Sequence, residues 1–169
     1  EGSVSSVGIS CFANTALTSF DLSETKSIEK SAFENCANLE TVTGQPTYIG
    51  DESFKDCISL KNIDLSKTTT ISLNAFLNCK NLDIGSLDSI VSIGKYAFKN
   101  CQSLTDINTG YYLKTVGDGA FSECSKLEKV HFGMSLADLG NEVFENCPNL
   151  IDLTVLSFKC DIDETSYVS

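Results

Sequence analysis

The chain has 169 residues, 41% of them hydrophobic and 21% charged, the proportions of a soluble domain long enough for one sizeable core. A formal net charge of −11 argues against nucleic acid, whose binders gather Lys and Arg on one face, and against an anionic membrane surface. No apolar run approaches the roughly 18–20 residues of a membrane span, so direct membrane insertion is not expected. The chain opens Glu1-Gly2-Ser3-Val4, without an initiator Met or a signal-type segment, and so reads as a piece excised from a longer protein.

Taken in chain order, the sequence repeats one unit. The first copy is the bare apolar skeleton Val7, Phe12, Leu17, Phe20 and Leu22, with no cysteine. The second sets the pattern: Ile28, then Phe33, Cys36 and Leu39. The third runs Ile49, Phe54, Cys57, Leu60 and on through Ile63 and Leu65. The fourth, Ile71, Phe76, Cys79 and Leu82, ends in Leu82-Asp83-Ile84, where a lost residue disturbs the strand register. The fifth has Ile93, Phe98, Cys101 and Leu104; the sixth has Val116, Phe121, Cys124 and Leu127, then Val130 and Phe132. The seventh has Leu139, Phe144, Cys147 and Leu150, then Leu153 and Val155. From Cys36 to Cys147 the cysteine steps are 21, 22, 22, 23 and 23 residues. Six matches in each of four columns are not chance, and a fixed period of this length marks a stacked-repeat protein. Residues 156–169, with Lys159-Cys160-Asp161, leave the pattern as a C-terminal cap or truncated repeat, and the whole of 1–169 reads as one domain.

The unit condenses to I-G-x-x-A-F-x-N-C-x-x-L-x-x-I-x-L. Its second half alternates about the middle aliphatic, as a short strand with one buried face does. The spacing of three from Phe to Cys to Leu predicts a tight helical or 3-10 turn that carries all three side chains to one side. One unit cannot bury its own apolar face, but stacked copies form a continuous core. With parallel strands about 4.8 Å apart, seven units make a short curved rod roughly 30–35 Å long.

These motifs resemble the BspA-like leucine-rich repeats. The cleanest copy is Ile93-Gly94-Lys95-Tyr96-Ala97-Phe98-Lys99-Asn100-Cys101, continuing through Leu104 to Ile107, and the match spans residues 7 to about 155. The resemblance implies an α/β-type solenoid: a right-handed leucine-rich repeat superhelix of about seven 21–23-residue repeats, with short parallel strands and short helical or 3-10 turns. It also implies a cell-surface or secreted protein acting in adhesion or other protein binding. The family's usual proline after the strand is missing, the only prolines being Pro46 and Pro148.

Eight cysteines invite a disulfide framework. A cysteine at the same site in every repeat, however, belongs to a column of parallel side chains about 5 Å apart, whereas a disulfide needs converging Cβ atoms near about 3.8 Å. Zinc needs close pairs such as C-x-x-C, and none exists; a single histidine nearly excludes a Cys–His nucleophilic pair. Cys36, Cys57, Cys79, Cys101, Cys124 and Cys147 therefore read as buried small hydrophobes that bond weakly to loop backbone. For Cys11 and Cys160, outside the column, a structural role and a disulfide both remain open. Phe33, Phe54, Phe76, Phe98, Phe121 and Phe144 form a parallel core ladder. The asparagine before the cysteine (Asn35, Asn78, Asn100, Asn146) suits a loop-bracing turn residue. The glycines at Gly50, Gly94, Gly117 and Gly140 suit tight turns or close packing, and no phosphate-cradling loop exists.

Function then falls to the outward positions. On the strand face these are Ser19 and Asp21, Thr41 and Thr43, Asn62 and Asp64, Asp106 and Asn108, Lys129 and His131, and Asp152 and Thr154. The candidate binding residues are Asp64, Asp106, Asn108, Lys129 and His131 on this face, against a merely solvated sheet surface, with Tyr111 and Tyr112 in the variable loop after it, against rim packing of the loop. Neither a grouped acid, base and nucleophile nor a metal or cofactor motif is present, so we expect no enzyme and no cofactor. The expected partner is a protein, of host, matrix or neighbouring-cell type. An extracellular or cell-surface module and an intracellular scaffold both fit, and the free cysteines mildly favour the second.

Overall fold

In the computed structural model, which describes residues 5–156, the chain winds as a parallel β-solenoid of about seven turns. Two kinds of short strand recur. One ends on the column aliphatic: β1 (Ser6–Val7), β3 (Ser27–Ile28), β5 (Tyr48–Ile49), β6 (Thr70–Ile71), β7 (Ser92–Ile93), β9 (Thr115–Val116) and β11 (Asp138–Leu139). In that order they make one seven-stranded sheet, with Ile28, Ile49, Ile71, Ile93 and Val116 in register. This strand was not anticipated, because two residues are too few to show alternation.

The other kind is the strand expected after the leucine. β2 (Ser19–Asp21) pairs with β4 (Thr41–Thr43), and β8 (Asp106–Asn108), β10 (Lys129–Phe132) and β12 (Asp152–Val155) form a three-stranded sheet. The inward aliphatics Ile107, Val130 and Leu153 sit opposite one another, so the register is the one that buries them.

Between the two strands the expected helical or 3-10 turns do not form. The described residues contain no helix. Instead the chain makes successive tight turns in which the residues two before and two after each Phe have positive φ: Ser31 at 54° and Asn35 at 59°, Asn74 at 54° and Asn78 at 64°, Tyr96 at 54° and Asn100 at 60°. A left-handed residue at every fourth position ends any right-handed helical run. The ribbon bonds in two directions. Within it, Cys36 N donates to Phe33 O at 3.1 Å; across to the next repeat, Phe33 N donates to Ser53 O at 2.7 Å and Asn35 N to Lys55 O at 2.8 Å. The asparagine before the cysteine therefore occupies a backbone conformation that Asn tolerates better than most residues. Its amides also bridge repeats, Asn100 Nδ2 to Asn78 Oδ1 at 2.8 Å and Asn78 Nδ2 to Asp56 Oδ1 at 2.7 Å.

Repeat four corrects a second expectation. No residue is missing between Leu82 and Leu87. Leu87 bridges to Thr109, each standing five residues after its column leucine. The aliphatic has instead moved one place early, to Ile84, and Gly85 stands where Ile63 and Ile107 stand in repeats three and five. Residues 83–86 consequently belong to no strand, and the second sheet is interrupted there.

The core is a set of columns. Phe33, Phe54, Phe76, Phe98 and Phe121 are wholly buried, with successive centroids 5.2–5.3 Å apart and ring planes within 1–6°. Beside them each column thiol donates to the carbonyl of the Phe one repeat back: Cys57 Sγ to Phe33 O at 3.0 Å, Cys101 to Phe76 O at 3.2 Å, Cys147 to Phe121 O at 3.1 Å. Thr15 takes the cysteine's place in the first repeat, its hydroxyl donating to Phe12 O at 2.8 Å. Burial pushes Cys79, Cys101 and Cys124 far above the ordinary thiol range and Cys147 up to about 11. Cys36, under the end repeat, is drawn below that range by its polar neighbours, Cys57 first and then Thr15. Cys11 is exposed and free, and Cys160 lies outside the described residues.

A reactivity order follows for a Cys160→Ser chain treated with a thiol-specific disulfide reagent such as DTNB. Cys11 reacts at once, and the six column thiols react only as fast as the chain opens. Cys36 leads them, being covered by the end repeat alone. Mass spectrometry of quenched samples reads the order, and a central thiol such as Cys101 reacting at the Cys11 rate contradicts it.

Candidate protein-binding face

The parallel ladders place the outward strand residues in two rows. Asp106, Lys129 and Asp152 are aligned in one, and Asn108, His131 and Thr154 in the other. Such positions point away from the core because side chains alternate along a strand, and Asp106, Asn108 and Lys129 are exposed. His131 Nε2 lies 3.4 Å from Asp152 Oδ2, an exposed contact. Asp64 is exposed too, but its carboxylate braces its own loop: Ser66 N donates to Oδ1 at 3.0 Å and Gln45 Nε2 to Oδ2 at 2.7 Å. Hydrogen bonds from Ser66 and then Gln45 hold that carboxyl below the usual carboxylate range. The structure therefore gathers Asp106, Asn108, Lys129 and His131 on one sheet, with Tyr111 close by, and leaves Asp64 apart in repeat three.

Tyr111 and Tyr112 follow β8 and are 66% and 65% exposed, extents at which neither ring packs as loop filler. Stacked repeats add two residues that the sequence pattern did not single out: Met134 after β10, 55% exposed, and Leu156 after β12, 51% exposed. Their signal was available. Met134 is the only methionine and stands one residue past Gly133, as Tyr111 stands one past Gly110. The two glycines bring the loops together, since a Cβ on Gly133 would lie 2.3 Å from Gly110 O. The result is a ridge of large apolar side chains beside a polar sheet face. Ridges of this kind, aromatic and amphipathic, are favoured in protein contacts.

Below the ridge is a cleft of about 290 Å³ lined by Asn108, Tyr111, His131, Phe132 and Leu156 among others. Next to it, at the break in repeat four, is a second cavity of about 380 Å³ lined by Ile84, Gly85, Ser86 and Asp106; Asp88 and Asn108 line both. Among the described residues no three His, Cys, Asp or Glu side chains form a group able to hold a metal ion. No described helix is long and apolar enough to cross a membrane.

The family model for the BspA-type leucine-rich repeat region matches six copies here, over residues 1–83 and 69–167. The chain belongs to the BspA-type leucine-rich repeat family. Solved structures of similar fold include a leucine-rich repeat protein from Bacteroides ovatus, 27% identical, with TM-score 0.79 over 88% of this chain and 39% of that one. A leucine-rich cell surface protein from Faecalibacterium prausnitzii is 24% identical, with TM-score 0.80 over 92% of this chain and 44% of that one, a likeness of fold. A leucine-rich repeat protein of T. pallidum is 29% identical, with TM-score 0.78 over 83% and 71%. This chain thus spans about two fifths of the first two. No curated protein matches the chain in sequence. BspA-type repeats form a solenoid suited to protein interaction.

Proposed function

We propose that this chain is the protein-binding part of a cell-surface or secreted leucine-rich repeat protein, acting in adhesion to host, matrix or neighbouring-cell proteins. The observation that carries this reading is the exposed ridge of Tyr111, Tyr112, Met134 and Leu156 beside the outward rows of β8, β10 and β12. Large apolar side chains held out of the core by an ordered sheet cost solubility and are characteristic of docking surfaces. The Faecalibacterium protein of similar fold is a cell surface protein, which supports the location. A second reading, an intracellular interaction scaffold, draws on the thiols, since all seven cysteines among the described residues are free, as in a reducing compartment.

Biolayer interferometry against a panel of purified matrix and cell-surface proteins tests the module. A Tyr111→Ser/Tyr112→Ser chain is expected to bind about tenfold or more weakly while melting at the wild-type temperature. Equal binding by the double variant removes the ridge from the interface. Antibody staining of intact, unpermeabilised cells separates the two locations.

A further inference from the structure

Resting on that protein-binding reading, the geometry points to a particular occupant for the adjoining cavities at the break in repeat four. We propose that they take an extended cationic segment of a partner protein, with a Lys or Arg side chain between Asp88 and Asp106 and an apolar neighbour against Tyr111. Three independent observations converge there.

The first is space. The two cavities share Asp88 and Asn108 in their walls and lie side by side as a trough, and a Cβ built on Gly85 would meet nothing within 4 Å. In repeats three and five an isoleucine, Ile63 or Ile107, fills the corresponding place, buried against the core. In repeat four the buried aliphatic is Ile84, one residue earlier, and Gly85 leaves an exposed, open position beside it.

The second is backbone. Asp83 N donates to Lys61 O at 2.8 Å and Leu87 N to Asn108 O at 3.4 Å, but the N–H groups of Ile84, Gly85 and Ser86 between them donate to no backbone carbonyl among the described residues. An extended segment lying in the trough would meet these free main-chain groups, the way strand addition reads a peptide.

The third is charge. Elsewhere among the described residues five carboxylates meet a lysine of the adjacent repeat, as in Lys55–Glu34 at 2.9 Å, Lys95–Asp118 at 3.1 Å and Lys99–Glu123 at 3.1 Å. The carboxylates of Asp88 and Asp106 have no ion pair or hydrogen bond among the described residues, and Lys129, opposite Asp106 in register, does not close one. Together with a net charge of −11, this favours a cation as occupant and sets a repulsive field against an acidic segment.

The test uses the full chain and two fluorescein-labelled probes, Gly-Tyr-Lys-Val-Lys-Gly and the same peptide with both lysines replaced by glutamate. Anisotropy measures affinity, and 15N–1H spectra locate the contact. The lysine peptide is expected to bind, with shifts concentrated in residues 84–88, 106–111 and 131–133, and the glutamate peptide not to bind. Asp88→Asn/Asp106→Asn is expected to weaken binding about tenfold or more, and Gly85→Leu, which fills the trough, to do the same. Asp138→Asn/Glu24→Gln, an equal change of net charge on other surfaces, should stay within about twofold. Failure of the lysine peptide to bind, equal binding of both peptides, equal losses in the control variant, or shifts centred elsewhere each overturns the proposal. Should Gly85→Leu unfold, the charge variants and the shift map decide alone. If the peptide fails while the chain still captures a matrix protein through Tyr111 and Tyr112, the groove falls and the protein-binding reading stands; if that capture fails too, both fall.

Discussion

Replacing Phe98 by alanine is expected to lower the unfolding free energy by about 3–5 kcal/mol, a third or more of what a typical domain possesses. The ring is wholly buried, stacked at 5.3 Å on Phe76 and at 5.3 Å on Phe121, with planes within 6° and 3°. Its neighbours cannot slide inward to fill the void, because turns and strands on both sides are hydrogen-bonded to the next repeat, as by Phe98 N to Ala120 O at 2.8 Å. A solenoid repeat contacts only its neighbours, so a void in the middle weakens the link between the two halves. Urea denaturation followed by circular dichroism reads both the loss and any splitting of the transition. Phe12→Ala, at the half-buried end of the ladder, stacked on Phe33 and tilted against Phe20 but open on its other face, should cost less, about 1–2 kcal/mol. Equal losses at the two ends of this comparison would deny that stacking depth sets the cost.

Gly44→Ala is expected to cost about 2–4 kcal/mol and to lower Tm by roughly 5–15 °C. Gly44 closes β4 at φ +101°, a conformation that a Cβ disfavours, and that Cβ would lie 2.6 Å from Leu22 C and 2.7 Å from Leu22 O. Both atoms are backbone of the adjacent repeat, fixed by Leu22 N donating to Thr43 O at 2.8 Å, so neither can swing aside. Gly85→Ala is the matched comparison: open space, no positive φ, and an expected change within about 0.5 kcal/mol. Differential scanning calorimetry of the two variants checks the contrast, and similar melting temperatures would refute it.

Much of the architecture was legible because it depends on burial, and burial leaves a period in the sequence. Phe33 to Phe144, Cys36 to Cys147 and Leu39 to Leu127 fall in columns, and the structure has them in the core. The turn was misread for a reason of geometry: a spacing of three is shared by 3-10 turns and by consecutive β-turns, and only the sign of φ separates them. One left-handed site announced itself through Asn35, Asn78 and Asn100, but the other is filled by Ser31, Glu52, Asn74, Tyr96, Gly119 and Glu142, which share no chemistry that a pattern could report. Of the candidate site, the sequence supplied Asp106, Asn108, His131, Tyr111 and Tyr112. It missed Asp88, Gly85, Met134 and Leu156, because each departs from the repeat and gains its meaning from what lies in the next turn of the solenoid.

Period, composition and column identity are properties of the chain alone, and they determined the stacked fold, the thiol column and the outward strand positions. Which outward residues share a surface is a different matter. Asp88, Asp106 and Tyr111 lie in different repeats or on different segments, and parallel stacking brings them to one trough. The register between Leu87 and Thr109 sets Ile84 into the core and leaves Gly85 exposed at the wall of the trough. That register is fixed by hydrogen bonds between repeats, contacts a linear pattern does not contain, so only the tertiary structure decided it.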